Sequence, residues 1–265
     1  MNILSDKNEL RDLAEGLLFA VRESGSIILD RWNAPRTVSC KGRIDLVTDT
    51  DVAVENDVLP RLRKLLPQAD VVAEESAGNV PLGDLAWVVD PVDGTTNFAH
   101  GIPFVALSVG LWFRGQVLLG AVYAPILHEC FHAVRGGGAF CNGVPVHVTD
   151  TANMEQALIA TGFPYTIQEE APTVLRRLSR VLVSARGVRR CGAAAVDLAY
   201  LAAGRYDAFY ETGLKPWDTA AGWLLVEEAG GRVTGLDGHS PFDPRRPEIL
   251  ASNGQLHTQM AQTLR

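Results

Sequence analysis

Residues 87–98, Trp-Val-Val-Asp-Pro-Val-Asp-Gly-Thr-Thr-Asn-Phe, constrain this chain more than any other stretch. The apolar run over 86–89 is short and bounded by turn formers, which predicts a buried strand. Pro91 is expected to end that strand, and Gly94 to mark a turn. Thr95 and Thr96 follow where a helix can begin. Asp90 and Asp93 therefore meet at a strand end. Two carboxylates at such a spot repel one another unless a cation lies between them. Backbone N–H groups at a helix start attract an anion. One loop thus offers hard oxygen ligands for a cation and a cradle for phosphate. The plainer reading is an Asp-Pro/Asp-Gly turn, so the rest of the chain has to decide.

Acids recur at the ends of other elements. Residues 70–73 read as a strand that runs into Glu74 and Glu75. Such acids are often simply exposed, but neighbouring strands lie about 4.8 Å apart, and pairing this strand with 86–89 brings Glu74 beside Asp90. Asp51 precedes a helix expected over 52–66, where it either caps the helix or joins a site. Pro60 inside that helix predicts a kink. Glu211 closes a strand over 207–211, and Asp218 stands near the start of a helix over 217–229. Glu74, Asp90, Asp93 and Asp218 offer only oxygen, with the Val92 carbonyl as a further ligand. An all-oxygen set selects Mg²⁺, Mn²⁺ or Ca²⁺ over zinc.

His128-Glu-Cys-Phe-His132 fits the zinc-protease pattern HExxH literally. That chemistry needs a helix, so that both histidines share one face. The stretch lies between Pro125 and three glycines and reads as a strand. Positions four apart on a strand are about 13 Å apart, too far to share one ion.

Composition narrows the classes. A net charge of −7 argues against a nucleic-acid surface. The four cysteines are scattered, with no CxxC pair, which favours free thiols. No segment approaches the roughly 20 apolar residues of a membrane span, and the start lacks an apolar signal core. These features lead us to expect a cytoplasmic enzyme.

Residues 6–32 predict a long amphipathic helix, with Asp6 and Glu9 as a capping box. A loop follows over 33–43. Residues 103–124 predict a hairpin across Arg114-Gly115, and Asn142-Gly143 another. Beyond about residue 146 short apolar strands alternate with helices: 158–161, 169–183, 188–190, a helix ending at Gly204, 207–211, 217–229, 231–234 and 249–252. The expectation is an α+β half over 1–145, holding most metal ligands, and an α/β half over 146–265.

Asp-Pro-Val-Asp-Gly-Thr-Thr-Asn-Phe resembles the central motif of the inositol monophosphatase family. Ala73-Glu-Glu-Ser76, Pro216-Trp-Asp-x-Ala-Ala-Gly222 and Lys41-x-x-x-Asp-Leu-Val-Thr-x-x-Asp51 resemble its other motifs, in the family's order. The resemblance implies a layered α-β-α-β-α sandwich, usually dimeric. It implies two or three Mg²⁺ ions per site, with Glu74 and Asp90 on one, Asp90, Asp93 and Asp218 on another, and the Val92 carbonyl as a ligand. It places Asp51, Thr95 and Glu74 with the catalytic residues, Thr95 orienting a water and Asp51 orienting Thr95. Gly94 and Thr95 would hold phosphate, and Lys41, Asp93 and Asp218 would also face the substrate. Glu211 and the turn of Gly192, Ala193 and Ala194 match inositol-contacting positions, and Arg189 a substrate-contacting arginine of bacterial relatives. The implied activity is Mg²⁺-dependent hydrolysis of myo-inositol 1-phosphate or a related polyol phosphate, sensitive to lithium. Histidinol-phosphate or fructose-1,6-bisphosphate hydrolysis stands as an alternative, as does a non-catalytic regulatory protein on the same fold.

Overall fold

The computed structural model describes residues 7–35, 37–40, 42, 46–76 and 81–265. The Asp6–Glu9 capping box and Lys41 lie outside the described residues. A long helix α1 (Lys7–Asp30) opens the chain. Short strands β1 (Val38–Cys40) and β2 (Leu46–Thr48) pair antiparallel and lead into α2 (Asp49–Leu65). The expectation of a plain loop over 33–43 is thus corrected. β1 is fully exposed, so its sequence carries no alternation of apolar and polar residues to announce it. Helix α2 runs continuously through Pro60.

A seven-stranded sheet follows in the order β3-β4-β5-β6-β7-β8-β9. Its strands are β3 (Asp70–Ala73), β4 (Leu85–Asp93), β5 (Ala106–Phe113), β6 (Gln116–Ala124), β7 (Glu129–Val134), β8 (Gly138–Cys141) and β9 (Val144–Val146). A short helix, α3 (Thr95–His100), leaves the end of β4. Only β3 and β4 run parallel. Both expected hairpins form, with Arg114-Gly115 and Asn142-Gly143 in the left-handed region that such turns require. The HExxH stretch is strand from Glu129 onward, not helix.

Strand β4 does not stop at Pro91 as expected. It continues to Asp93 across an irregularity between Asp90 and Asp93 in its pairing with β5. Proline cannot donate to a ladder, and a bulge is where a strand tolerates that loss.

The second sheet has the order β11-β10-β12-β14-β13. It contains β10 (Leu158–Thr161), β11 (Gly187–Arg189), β12 (Ala208–Thr212), β13 (Arg232–Thr234) and β14 (Glu248–Ser252). Helices α4 (Ile167–Ser184), α5 (Ala194–Ala202), α6 (Pro216–Glu228) and α7 (His257–Leu264) complete the chain.

Strand alternation sorts the side chains into layers. Trp87 and Val89 of β4 join the core formed with α1 and α2, whereas Val88 joins the core formed with α5 and α6. In the second sheet Ala160, Phe209 and Ala251 face α5 and α6. Their neighbours Ile159, Tyr210 and Leu250 face Val181 of α4 and Met260 of α7. The layers are therefore helices, sheet, helices, sheet, helices. A helix held between two sheets must be apolar all round, and α6 is buried without a break from Thr219 to Val226.

Gly110 and Gly120 are cross-strand partners in β5 and β6. A Cβ at Gly120 would stand 2.9 Å from the Ala221 carbonyl oxygen, and one at Gly110 would stand 3.0 Å from the Ala220 Cβ. The paired glycines let α6 lie directly on the sheet. Gly120→Ala should therefore destabilise the protein by about 1–3 kcal/mol through overpacking, read as a lower urea midpoint. An unchanged midpoint would show that α6 shifts without cost.

Candidate active site

The buried acids converge because of register. Ala73 pairs with Val89 in the parallel β3–β4 ladder, and the Glu74 N–H donates to the Val89 carbonyl at 3.1 Å. Glu74 therefore stands beside Asp90 at the strand ends. Helix α6 brings in Asp218 from much later in the chain, its carboxylate accepting the Lys215 N–H at 2.6 Å. Glu74, Asp90, Val92, Asp93, Gly94, Thr95 and Asp218 line one cavity of about 180 Å³.

Asp51 and Thr95 form the expected pair. The Thr95 hydroxyl lies 2.9 Å from Asp51 Oδ1 and 3.0 Å from the Val92 carbonyl oxygen. The other Asp51 oxygen accepts the Thr48 backbone N–H at 3.0 Å and the Thr48 hydroxyl. Thr48 in turn caps α2 by accepting the Thr50 N–H. Asp51 thus serves the helix start and the site at once. Burial lifts its pKa, against the hydrogen bonds from Thr48 and Thr95.

Asp93 reaches across the molecule. Its carboxylate accepts N–H groups of Ala194 (3.1 Å), Ala195 (2.8 Å) and Val196 (3.3 Å) at the start of α5. Asn97 adds a second tie, donating to the Cys191 carbonyl at 2.8 Å. Gly94 holds φ at 88°, and a Cβ there would meet the Phe104 carbonyl oxygen at 2.8 Å. Only glycine fits that turn.

The acid-lined cavity adjoins a second one of about 290 Å³, with Asp93, Gly94, Thr95, Tyr165 and Asp218 in both linings. Gly192, Ala193, Ala194 and Glu211 belong to this second lining. Gly162 makes room for Glu211, because a Cβ there would fall 2.1 Å from its carboxylate. Arg189 is not in the lining. It is exposed, and its guanidinium donates to the Val188 carbonyl. The cation in the cavity is Arg190, 5.4 Å from the Phe163 ring centroid. Both arginines are exposed, but successive side chains along an extended chain point to opposite sides, and Arg190 is the one that reaches this lining. The sequence also gave no signal for Phe163, Tyr165 and Leu214, which come from irregular segments.

Electrostatics mark the site as strained. Asp90 is pushed well above the usual carboxylate range by burial, then by the charges of Glu74, Asp93, Asp218 and Asp51. Burial raises Asp93 to about 7 against its three backbone hydrogen bonds. Glu211 rises to about 8, through burial and then the Asp218 charge, with Arg190 opposing. Among the described residues no three acids, histidines or cysteines are already drawn into a closed metal cage. The donor chemistry nevertheless suits a hard divalent cation. All donors are oxygen, and their mutual repulsion is what such a cation relieves.

The chain matches the inositol monophosphatase family over residues 9–265 and belongs to it. It is 40% identical over 222 residues to the protein named Nus factor SuhB of Salmonella typhimurium, covering 83% of each chain. It is 38% identical over 248 residues to the inositol-1-monophosphatase of Synechocystis, covering 92% of this chain and 86% of the relative. Among solved structures, the extragenic suppressor protein suhB from Bartonella henselae superposes with a TM-score of 0.88 at 37% identity, covering 95% of this chain and 97% of that one.

The raised carboxyls give a signed prediction. Between about pH 4, where free carboxyls titrate, and the folded values near 7 and 8, the folded protein holds more protons than the unfolded chain. Without metal, stability should fall as pH rises through that window. Mg²⁺ favours the charged carboxylates, so it should raise Tm more at about pH 8 than at about pH 5. Thermal unfolding in chelator and in Mg²⁺ at both pH values checks this. An equal Mg²⁺ effect at the two values would separate the acids from metal binding.

Proposed function

We propose that this protein is a Mg²⁺-dependent phosphomonoesterase acting on myo-inositol 1-phosphate or a closely related polyol phosphate. The observation that carries the reading is the Thr95 hydroxyl held on buried Asp51 at the wall of the acid-lined cavity. Glu74, Asp90, Asp93, Asp218 and the Val92 carbonyl are the groups that would hold two or three Mg²⁺ ions. Bound there, Mg²⁺ would supply Lewis acidity, offsetting the charge of the phosphate dianion and making water a better nucleophile.

The chain's own residues would do the rest. Thr95, oriented by Asp51, accepts and aligns the attacking water, with Glu74 on its other side. The Gly94 and Thr95 N–H groups face the phosphate oxygens. Glu211, Arg190 and the Gly192-Ala193-Ala194 turn line the adjoining cavity, where the alcohol part of the ester would lie. Glu211 there accepts hydrogen bonds from ring hydroxyls. Lys41 is proposed as a further substrate contact on the motif resemblance alone. We also propose a cytoplasmic homodimer. Among the described residues no helix is long and apolar enough to cross a membrane.

The likeness to a protein named Nus factor favours a second reading, a regulatory role on the same fold. Phosphate release from a panel of phosphomonoesters, with and without Mg²⁺, decides between them. Asp90→Asn should abolish Mg²⁺-dependent release while the protein stays folded. Turnover by Asp90→Asn equal to that of the native protein would remove the metal assignment. No release from any ester by the native protein would favour the regulatory reading.

Thr95→Ala should lower kcat far more than it raises KM, because water alignment counts in the transition state. Steady-state kinetics on the preferred ester measures both. A rise in KM at constant kcat would make Thr95 a binding group.

Glu211→Gln tests the polyol assignment. Above about pH 8 Glu211 is ionised, and a hydrogen bond to its charged carboxylate contributes about 1.5–3 kcal/mol. In assays there kcat/KM for inositol 1-phosphate should therefore fall roughly 10- to 150-fold. An aryl phosphate without hydroxyls should be nearly unaffected. Equal losses on the two substrates would place Glu211 in support of the cation site instead.

A further inference from the structure

The cavity of about 290 Å³ beside the acids is built on the ends of three neighbouring strands. Strand β10 lies between β11 and β12, and both ladders are parallel. Ligands of α/β sheets bind outside such C-terminal strand ends. Arg190 follows β11, Gly162 and Phe163 follow β10, and Glu211 lies near the end of β12. Phe163, Arg190 and Glu211 all line the cavity. The proposed chemistry leaves Phe163 without a part.

A glycine seats each charged group. Gly162 makes room for the Glu211 carboxylate, and a Cβ on Gly192 would stand 2.5 Å from Arg190 Nη1. A cation and a carboxylate that line one small cavity ordinarily close on one another, because charge-assisted pairing with a carboxylate is the strongest polar contact open to arginine. Among the described residues Arg190 makes no ion pair with a carboxylate, although its charge acts on Glu211 and Asp197. Its guanidinium lies instead against the Phe163 ring, 5.4 Å from the centroid. A planar, weakly hydrated guanidinium is well suited to an aromatic face. Phe163 follows the middle strand, so its ring offers Arg190 a seat other than Glu211.

We propose that Phe163 is a positioning residue that sets specificity for polyol esters: its ring holds the Arg190 guanidinium off Glu211, so that the cavity presents a donor and an acceptor at once. This role, which rests on the polyol reading of the same cavity, follows from what a hydroxyl needs. Each hydroxyl both donates and accepts. Neighbouring hydroxyls on one ring give a proton to Glu211 and lone pairs to Arg190, whereas an alkyl ring leaves both groups unpaired. Without the aromatic face, Arg190 would close on Glu211, and the hydroxyls would have to compete with that pair.

The test compares myo-inositol 1-phosphate with cyclohexyl phosphate, esters of the same ring with and without hydroxyls. The readout is the ratio of their kcat/KM values above about pH 8, where Glu211 is ionised. A general loss of fold or of metal chemistry cancels in that ratio. Phe163→Leu keeps an apolar side chain and removes the aromatic face. It should lower the native preference for the inositol ester roughly 2- to 5-fold, the worth of an exposed cation–π contact. Phe163→Tyr keeps the face and should keep the preference. Arg190→Met should lower the preference at least as far as Phe163→Leu does. Adding Phe163→Leu to Arg190→Met should lower it no further, since the two residues act through one contact. Three results would each overturn the positioning role and leave the polyol reading standing: an unchanged preference in Phe163→Leu, a loss in Phe163→Tyr as large as in Phe163→Leu, or an equal further loss in the Arg190→Met background. A native protein with no preference for the inositol ester would overturn both.

Discussion

One carboxylate ties the seven-stranded sheet to the start of α5. Asp93 ends β4 of the first sheet, and its oxygens accept three successive N–H groups at the start of α5. Those donors have no partner within their own helix, so the bond meets a need on both sides. It also fixes where the Gly192-Ala193-Ala194 turn lies relative to Gly94. A Cβ on Gly94 would come within 3.1 Å of the Ala193 Cβ and 3.4 Å of the Gly192 carbonyl oxygen. Asn97 repeats the tie one helical turn further on, through the carbonyls of Cys191 and Gly192. The motif 90–97 therefore joins the sheets as well as presenting chemistry.

This dual use explains why the acids sit where repulsion is greatest. Asp51 could cap α2 without being buried, and Asp93 could serve α5 from a wetter position. Both are instead almost wholly enclosed, with Asp90 between them, and all three are raised in pKa, first by burial. A fold under selection for stability alone would spread such groups out, since buried like charges cost stability. Their concentration in one cavity wall points to a functional site.

Much of this was legible in the chain. Residues 70–73 and 158–161 are bounded as expected because apolar runs end at acids or glycine, and the alternation after residue 146 announces strands and helices there, whereas the layered arrangement came from the motif resemblance. The convergence of Glu74 and Asp90 needed only two neighbouring strand ends. What stayed hidden depended on parity or on irregular backbone. Pro91 concealed the last residues of β4 because a bulge accommodates it. Arg189 and Arg190 are chemically alike, and only their places at the end of β11 decide which one meets Glu211. Tyr165 and Phe163 come from a segment whose path no periodicity describes.

The helix that supplies Asp218 shows how packing and chemistry become one constraint. Helix α6 is apolar on every side, so nothing in its own pattern fixes its rotation about its axis. The paired glycines of β5 and β6 fix it, since only the Ala220–Ala221 edge can enter the space they leave. Asp218 lies two residues before Ala220, so this contact sets the direction of its carboxylate. Pro216 begins the helix, where its missing N–H costs nothing, and the Lys215 N–H then takes the Asp218 carboxylate. Moving α6 outward by the thickness of a methyl group would draw Asp218 away from Asp90 while leaving every acid in place. The acids thus provide the charge of the site, and two glycines in the sheet that carries Asp90 set how closely Asp218 approaches it.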